Sequence, residues 1–309
     1  MAVEELEKVL ARIDSIFKIE EILQEKINKD FIQGYYKGYH KYGNAVYKIF
    51  QAKESHVHTA LNFGGEFHKD GYYVQPKFID DFIKEDGRIQ DVIELGCGRG
   101  FNSKYLATRH RDVSFWGIDL TPEFIRYANH ENKKPTNLGF KLGDFHSLPM
   151  PDENYDLVFD VESVCHAKDV KTVLQEVHRV LRPGGFYVAF DGFKPPGFDI
   201  LPTSLIMAAK ISDIMMGVGN GQKIDEFMQA AQEAGFEVMQ QEDITHAIVP
   251  SLLLFQESSK KYLKHKFLAR LLLKLLPGHI IKNAIAGLLM PFTVKGKAQG
   301  YYRIVLKKN

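Results

Sequence analysis

The chain has 309 residues, 45% of them hydrophobic and 12% aromatic, with a formal net charge of +1. That is ample for a sizeable core. Its two cysteines, Cys97 and Cys165, stand in no CxxC pair, which argues against a disulfide framework or a cysteine zinc site and fits a reducing, cytoplasmic setting. No run of about eighteen apolar residues occurs, so no spanning helix is expected, and the amphipathic start MAVEELEKVLARIDSIF lacks the apolar core of a secretory signal.

The charge is unevenly spread. Residues 258–309 hold ten Lys and two Arg and no acid, so the rest of the chain carries −11. A basic, leucine-rich end on an acidic body suits contact with anionic lipid or packing against the body itself.

In chain order, Leu6, Leu10, Ile13 and Phe17 recur at helical spacing, so residues 3–28 read as one or two helices. Residues 31–74 are dense in Tyr, Phe, Gly and His, and Gly34, Gly38 and Gly43 argue for short helices and loops. A helix from Gln75 to about Lys84 leads to the strand Asp91–Leu95 and the turn Gly96-Cys97-Gly98-Arg99-Gly100. Helix Ser103–Ala107 follows, then strand Val113–Ile118 ending at Asp119, and a helix opened by Thr121 and Pro122. Strands Gly139–Leu142 and Tyr155–Val161 come next. Helix Lys171–Leu181 stops at Arg182-Pro183-Gly184-Gly185, before strand Phe186–Phe190. The rhythm breaks over 194–222 and resumes with helix Ile224–Ala234 and strand Phe236–Ile244. A helical insertion precedes a last strand, Tyr301–Leu306.

Strands alternating with helices at this spacing predict a doubly wound, mostly parallel sheet. The expected division is a helical, aromatic cap over 1–74, a core over 75–245 with a lid-like insertion at 194–222, a basic leucine-rich insertion over 246–298, and a final core strand over 299–309.

A glycine turn after a strand lets a ligand lie against the main chain, and many nucleotide sites share it. Asp119, about twenty residues on, is placed to accept both hydroxyls of a ribose. Glu94 before the turn suits an amine-bearing ligand and repels a pyrophosphate. Asp144 could accept from an adenine amino group while Phe145 covers the ring.

With these residues in order, the segment 75–245 resembles the class I S-adenosylmethionine-dependent methyltransferases. The resemblance is carried by Glu94–Gly100, Gly117-Ile118-Asp119-Leu120, Gly143-Asp144 and Arg179–Gly185. It implies a Rossmann-like, seven-stranded α/β sheet whose last strand is antiparallel. It also implies S-adenosylmethionine as cofactor and S-adenosylhomocysteine as product. Gly96, Cys97 and Gly98 would lie against the amino-acid portion, with Glu94 helping to hold its ammonium. Asp119 would take the ribose, Leu120 would pack on adenine, Asp144 and Phe145 would contact adenine, and Val161 and Glu162 would face the methionine and the acceptor. More loosely, Glu162-Ser163-Val164-Cys165-His166-Ala167 is similar to a segment of the sterol and isoprenoid C-methyltransferases. No tyrosine-glutamate-tyrosine-glycine-tryptophan motif aligns with the aromatic cap, so the resemblance favours a lipophilic acceptor over a sterol in particular.

Methyl transfer needs alignment more than strong acid–base chemistry. His166 and Glu162, at the carboxyl edge of the sheet, are the candidate base pair; a turn cap and a packed imidazole are the plainer readings. His56, His58, Glu66 and His68 form a second polar cluster. Glu66 is taken as a third catalytic candidate facing the acceptor, and no metal is assigned. Tyr35, Tyr36, Tyr39 and Tyr42 either close over the cofactor or pack the cap on the core, and Tyr36 is the one assigned to the cofactor. Cys165 reads as a small buried residue. In the insertion, Lys266, Arg270 and Lys274 share a helical face among leucines, a pattern that suits a membrane-surface helix, a lipid-pocket lid or core packing. Met207, Met215 and Met216 add adaptable apolar surface.

The expected function is methyl transfer to a hydrophobic small molecule (isoprenoid, sterol-like or another lipid-like metabolite), with carbon favoured over oxygen or nitrogen as the methylated atom. Peripheral membrane contact is an accompanying expectation, and the oligomeric state is left open, a homo-oligomer included. A nucleic-acid methyltransferase is the competing reading; the leucine-interleaved basic tail and the absence of an Asn/Asp-Pro-Pro-Tyr motif weigh against it. A non-catalytic cofactor-binding module is the third.

Overall fold

The computed structural model describes residues 2–37, 56–131, 135–219, 221–264 and 278–309. Lys266, Arg270, Lys274, Tyr39 and Tyr42 lie outside the described residues, as do Phe267, Leu268, Leu271, Leu272 and Leu275.

Seven strands form one sheet in the order β3-β2-β1-β4-β5-β7-β6. They are β1 Asp91–Leu95, β2 Ser114–Asp119, β3 Leu138–Leu142, β4 Tyr155–Val161, β5 Leu181–Phe193, β6 Phe236–Asp243 and β7 Gly300–Lys308. The first five pair in parallel, and β7 runs antiparallel to both β5 and β6. This is the expected seven-stranded α/β sheet with its last strand antiparallel. One boundary differs: β5 begins five residues earlier than expected. Leu181 already pairs with Tyr155, and an irregularity in that register absorbs the Pro-Gly-Gly that reads in sequence as a helix stop.

The helices are α1 Ala2–Phe17, α2 Ile19–Leu23, α3 (29–37), α4 Val74–Asp86, α5 Phe101–Ala107, α6 Pro122–Glu131, α7 Val170–Val180, α8 Thr203–Met215, α9 Ile224–Glu233, α10 Thr245–Tyr262 and α11 Gly278–Lys295. Strand period sorts the core into two layers. Ile93 and Leu95 join α7 and α9 on one face, with Val173, Leu174, Val177 and Phe227 fully buried. Val92 joins α4 and α5 on the other, with Ile79, Ile83 and Leu106. Each such side chain contributes roughly 1.5–3 kcal/mol by leaving water. Glu94 shares the face of Val92, which aims its carboxylate at α5.

The helices outside the sheet form a third cluster. Leu6, Leu10 and Ile13 of α1 and Ile22 of α2 pack with Ile211 and Met215 of α8 and with Ile285 and Leu289 of α11. The beginning of the chain and both insertions, far apart in sequence, share this apolar centre. Among the described residues no helix is long and apolar enough to cross a membrane.

Candidate active site

Strand order reverses beside β1: β2 lies to one side and β4 to the other. The crevice at such a switch point opens above the strand carboxyl ends. Here those ends are Leu95-Gly96 and Val161-Glu162. A cavity of about 1120 Å³ occupies the crevice, lined by Glu94, Gly96, Cys97, Gly98, Asp119, Leu120, Asp144, Phe145, Val161, Glu162, His166 and Tyr36. Twelve of the thirteen residues assigned a catalytic or cofactor-binding role therefore line one cavity. The thirteenth does not: Glu66 is exposed on a turn and lines neither this cavity nor the one beside it, which corrects its assignment as a residue facing the acceptor. The turn places it there because Gly64 and Gly65 carry the chain out into solvent between buried Asn62 and the helical turn Lys69–Tyr73.

The glycine turn has physical reasons. Gly96 sits at φ 62°, and a Cβ there would collide with Ser163. Gly98 sits at φ 52°, and the nearest atom to a Cβ there would be Val57 Cγ2 at 3.5 Å, so its backbone faces open cavity. Asp119 holds the turn: Oδ2 accepts from Gly98 N–H at 2.9 Å and Oδ1 from Thr121 N–H at 2.8 Å. Burial nonetheless raises its carboxyl, against the pull of those donors.

Glu94 is 2% exposed. It accepts from Asn102 Nδ2 at 2.9 Å, from Ser103 N–H at 3.1 Å and from the Ser103 hydroxyl. Burial still pushes it up to about 7, with Asp119 adding to the rise. Asn102 Oδ1, buried in the same wall, has no hydrogen-bond partner among the described residues. A raised carboxylate beside an unused acceptor is what an ammonium group would satisfy. The donor set therefore fits an adenosine that ends in an amino acid: Glu94 and Asn102 for the ammonium, the Gly98 backbone for close approach, and Asp119 for the ribose.

Helix α3 covers the other end. Lys29 Nζ donates to Asp144 Oδ2 at 3.2 Å, and Gln33 Nε2 donates to the Leu120 carbonyl at 2.9 Å. His146 accepts the Lys168 N–H at Nε2, so its Nδ1 carries the hydrogen and donates to Asp144 Oδ1 at 2.7 Å. Asp144 is thus already engaged by Lys29 and His146, which tempers its expected role toward an adenine amino group.

Glu162 directly follows β4 at φ 53°. It accepts from Thr59 N–H at 2.8 Å, the Thr59 hydroxyl at 3.1 Å and the Tyr301 hydroxyl at 3.0 Å. Burial raises its carboxyl. His166 Nδ1 donates to the Gly217 carbonyl at 2.9 Å, which leaves Nε2 to accept from Tyr36 OH at 2.8 Å. Burial lowers the imidazole and lifts the phenol, so this pair is neutral at pH 7. Cys165 is a free thiol pushed well up by burial, which keeps it from acting as a thiolate.

A second cavity of about 260 Å³ adjoins the first. Tyr36, His58, Glu162, Cys165 and His166 line both. Its other walls include Met216, Leu252, Phe255, Met290 and Val294 from the outer helices and Tyr72, Phe193 and Tyr301, together with the polar Asp191, Lys194, Asp213, Asn283 and Gln299. His56 and His58 flank it, with His56 stacked on Tyr72 at 3.7 Å between ring centres. Among the described residues no group of three or more His, Cys, Asp or Glu could hold a metal. Thr59, Tyr301 and Gln33 arrive from distant elements that sequence spacing does not connect to the site, whereas Asn102 and His146 lie eight and two residues from Glu94 and Asp144 and are overlooked beside them.

Residues 93–189 match the family described as "Methyltransferase domain". A fatty-acid O-methyltransferase of Mycolicibacterium smegmatis is 38% identical over 109 residues, 35% of this chain and 39% of that protein. A 24-methylenesterol C-methyltransferase 2 of Oryza sativa subsp. japonica is 28% identical over 208 residues, 63% of this chain and 53% of that protein. The chain thus spans only two fifths to about half of these relatives. In fold it is similar to geranyl diphosphate C-methyltransferase of Streptomyces coelicolor A3(2), solved with Mg2+, geranyl diphosphate and S-adenosyl-L-homocysteine. That TM-score is 0.62 at 16% identity, covering 89% of this chain and 98% of the other. Over residues 93–189 the chain thus matches a methyltransferase domain, and its fold is shared with solved methyltransferases.

Proposed function

We propose that the protein transfers a methyl group to a hydrophobic, lipid-like small molecule held in the second cavity, with carbon as the favoured acceptor atom. The observation that carries this reading is the shared wall. Glu162, Tyr36 and His166 stand where the cavity that holds Glu94 and Asp119 meets a second chamber rich in aromatic and aliphatic side chains.

S-adenosylmethionine supplies an activated methyl, so the residues need to align the acceptor and dispose of a proton. Glu94, Asn102 and Asp119 fix the donor's amino-acid and ribose ends. Tyr36, Tyr72, Phe255 and Tyr301 offer ring faces, and Glu162 a carboxylate, to a cation developing on an alkene carbon. The proton then released passes to Tyr36 Oη as the phenol hydrogen moves to His166 Nε2. Gly217 O continues to hold Nδ1–H, so the imidazolium that forms is hydrogen-bonded at both nitrogens. The same relay serves a hydroxyl acceptor. A carboxylate acceptor needs no base and would face Glu162 directly, which favours the other two.

The test is incubation of the purified protein with methyl-labelled S-adenosylmethionine and a total lipid extract, followed by mass spectrometry. Lipids gaining one CH2 and the label support the proposal. Label entering only RNA or polar metabolites would sink it.

A further inference from the structure

The two cavities share a further polar side chain that the proton relay does not use. His58 lines both of them and is 9% exposed. Its neighbours fix where it stands. Val57 carries the atom nearest to a Cβ built on Gly98, and Thr59 donates to Glu162 through both its N–H and its hydroxyl. His58 is thus carried on a segment that passes from the glycine turn to the carboxylate after β4. Its Nε2 is 2.9 Å from the Tyr72 carbonyl, which can only accept, so Nε2 bears the hydrogen and Nδ1 the lone pair. That lone pair has no donor among the described residues. It is not shut away: His56 Nδ1, in the neighbouring ring, is sealed inside the protein, whereas His58 Nδ1 keeps accessible surface.

A molecule that fills the chamber excludes water from this lone pair, so it binds best when it brings a hydrogen of its own. The neighbouring groups do not supply one: Tyr36 has committed its hydrogen to His166, and Glu162 itself accepts from three donors. We propose that His58 recognises a hydroxyl on the acceptor molecule and takes its hydrogen at Nδ1, where the chamber opens onto the cofactor cavity. Burial lowers this imidazole to about 4, so it is neutral at pH 7 and remains an acceptor there. The ligand class is thus a lipid-like alcohol or phenol. An ether or ester of the same shape brings no hydrogen, and a carboxylate sets its oxygens against the lone pair and Glu162 together. The hydroxyl need not be the atom that is methylated. Next to an alkene carbon, it holds that carbon in line with the methyl.

This rests on reading the second cavity as the acceptor chamber, and the test separates the two claims. The probes are 1-octanol and its isomer heptyl methyl ether, which differ in the hydroxyl hydrogen and not in composition. Each is titrated at pH 7 into the full chain carrying isotope-labelled histidine, with and without saturating S-adenosylhomocysteine, and followed by calorimetry and nitrogen NMR. The alcohol is expected to bind about tenfold more tightly than the ether, the worth of one hydrogen bond. It should also move the His58 Nδ1 resonance upfield, while the ether leaves it in place. His58→Phe assigns that resonance by its loss and should bring the two affinities within about twofold of each other. His58→Gln serves for the assignment if the phenylalanine variant does not fold, and the wild-type ranking then decides. Equal wild-type affinities, or alcohol binding that leaves Nδ1 unmoved, would overturn the site and leave His58 as packing. A shift produced by S-adenosylhomocysteine alone and unchanged by the alcohol assigns the lone pair to the cofactor's ammonium and overturns it equally. Failure of S-adenosylhomocysteine to bind counts against the methyl-transfer reading alone, since the alcohol–ether ranking is read in both states.

Discussion

Tyr36 Oη stands 2.8 Å from His166 Nε2, on a ring whose other nitrogen is committed to the Gly217 carbonyl. A helix near the start of the chain is thereby joined to the end of β4 and to the loop after α8. Three segments meet on one imidazole, and its lone pair has only one way out, through the phenol.

If that phenol relays the released proton, Tyr36→Phe should lower kcat for methyl transfer by about 10²–10³-fold, the range for loss of a positioned acid–base group. The affinity for S-adenosylhomocysteine should stay within about threefold, because the phenol is not among the donors expected for the cofactor's charged ends. A proportional fall in both would show that Tyr36 only seals the cavity.

Glu94 predicts a pH-dependent cofactor affinity. Its carboxyl is raised to about 7 in the free protein, and only its ionised form attracts the ammonium. Binding should therefore tighten as pH rises through 7 and level off above it. From pH 8 to pH 6 the dissociation constant of S-adenosylhomocysteine should rise about tenfold, the amount set by one group titrating across that range. In Glu94→Gln the affinity should be weaker throughout and flat across the same interval. A wild-type profile as flat as the variant's would remove Glu94 from the ammonium site.

Much of this site was legible in the sequence, for a physical reason. The residues from Glu94 to Asp144 that line the larger cavity sit at strand carboxyl ends, and strand period with glycine placement fixes where those ends fall. The acceptor side was not legible in the same way. Glu162 is held by Thr59 and Tyr301, which are 103 and 139 residues away in the chain. Glu66 misled because histidine and acid spacing in a loop carries no information about which side of the loop faces water.

The two glycines of the turn should respond differently to alanine. At Gly96 the added Cβ meets Ser163 as well as an unfavourable φ, so Gly96→Ala should cost more than about 3 kcal/mol and leave little folded protein. At Gly98 only the φ penalty applies, about 1–2 kcal/mol. Gly98→Ala should fold, yet bind S-adenosylhomocysteine at least about tenfold more weakly, because its methyl group occupies the surface the ligand needs. Chemical denaturation and calorimetry on the two variants check both halves.

His56 gives a stability prediction with a definite sign. It is 7% exposed and stacked on Tyr72, and burial, with the neighbouring His58, lowers it to about 3 from an ordinary 6.5. The unfolded chain therefore binds a proton that the folded chain refuses between those values, and stability is lost as pH falls from about 6.5 toward about 3. Going from pH 7 to pH 5, this one group should cost about 2 kcal/mol. Glu94 acts in the opposite direction, because its raised carboxyl takes up a proton on folding over much of the same interval. The net slope of the wild-type protein is thus a difference of opposing contributions, and His56→Phe isolates one of them. The phenyl ring keeps the stack on Tyr72 and removes both the titration and an Nδ1 that has no hydrogen-bond partner among the described residues. The loss of unfolding free energy between pH 7 and pH 5, measured by urea denaturation, should be about 2 kcal/mol smaller in His56→Phe than in the wild-type protein. Equal losses in the two proteins would mean that His56 accepts its proton within the folded state.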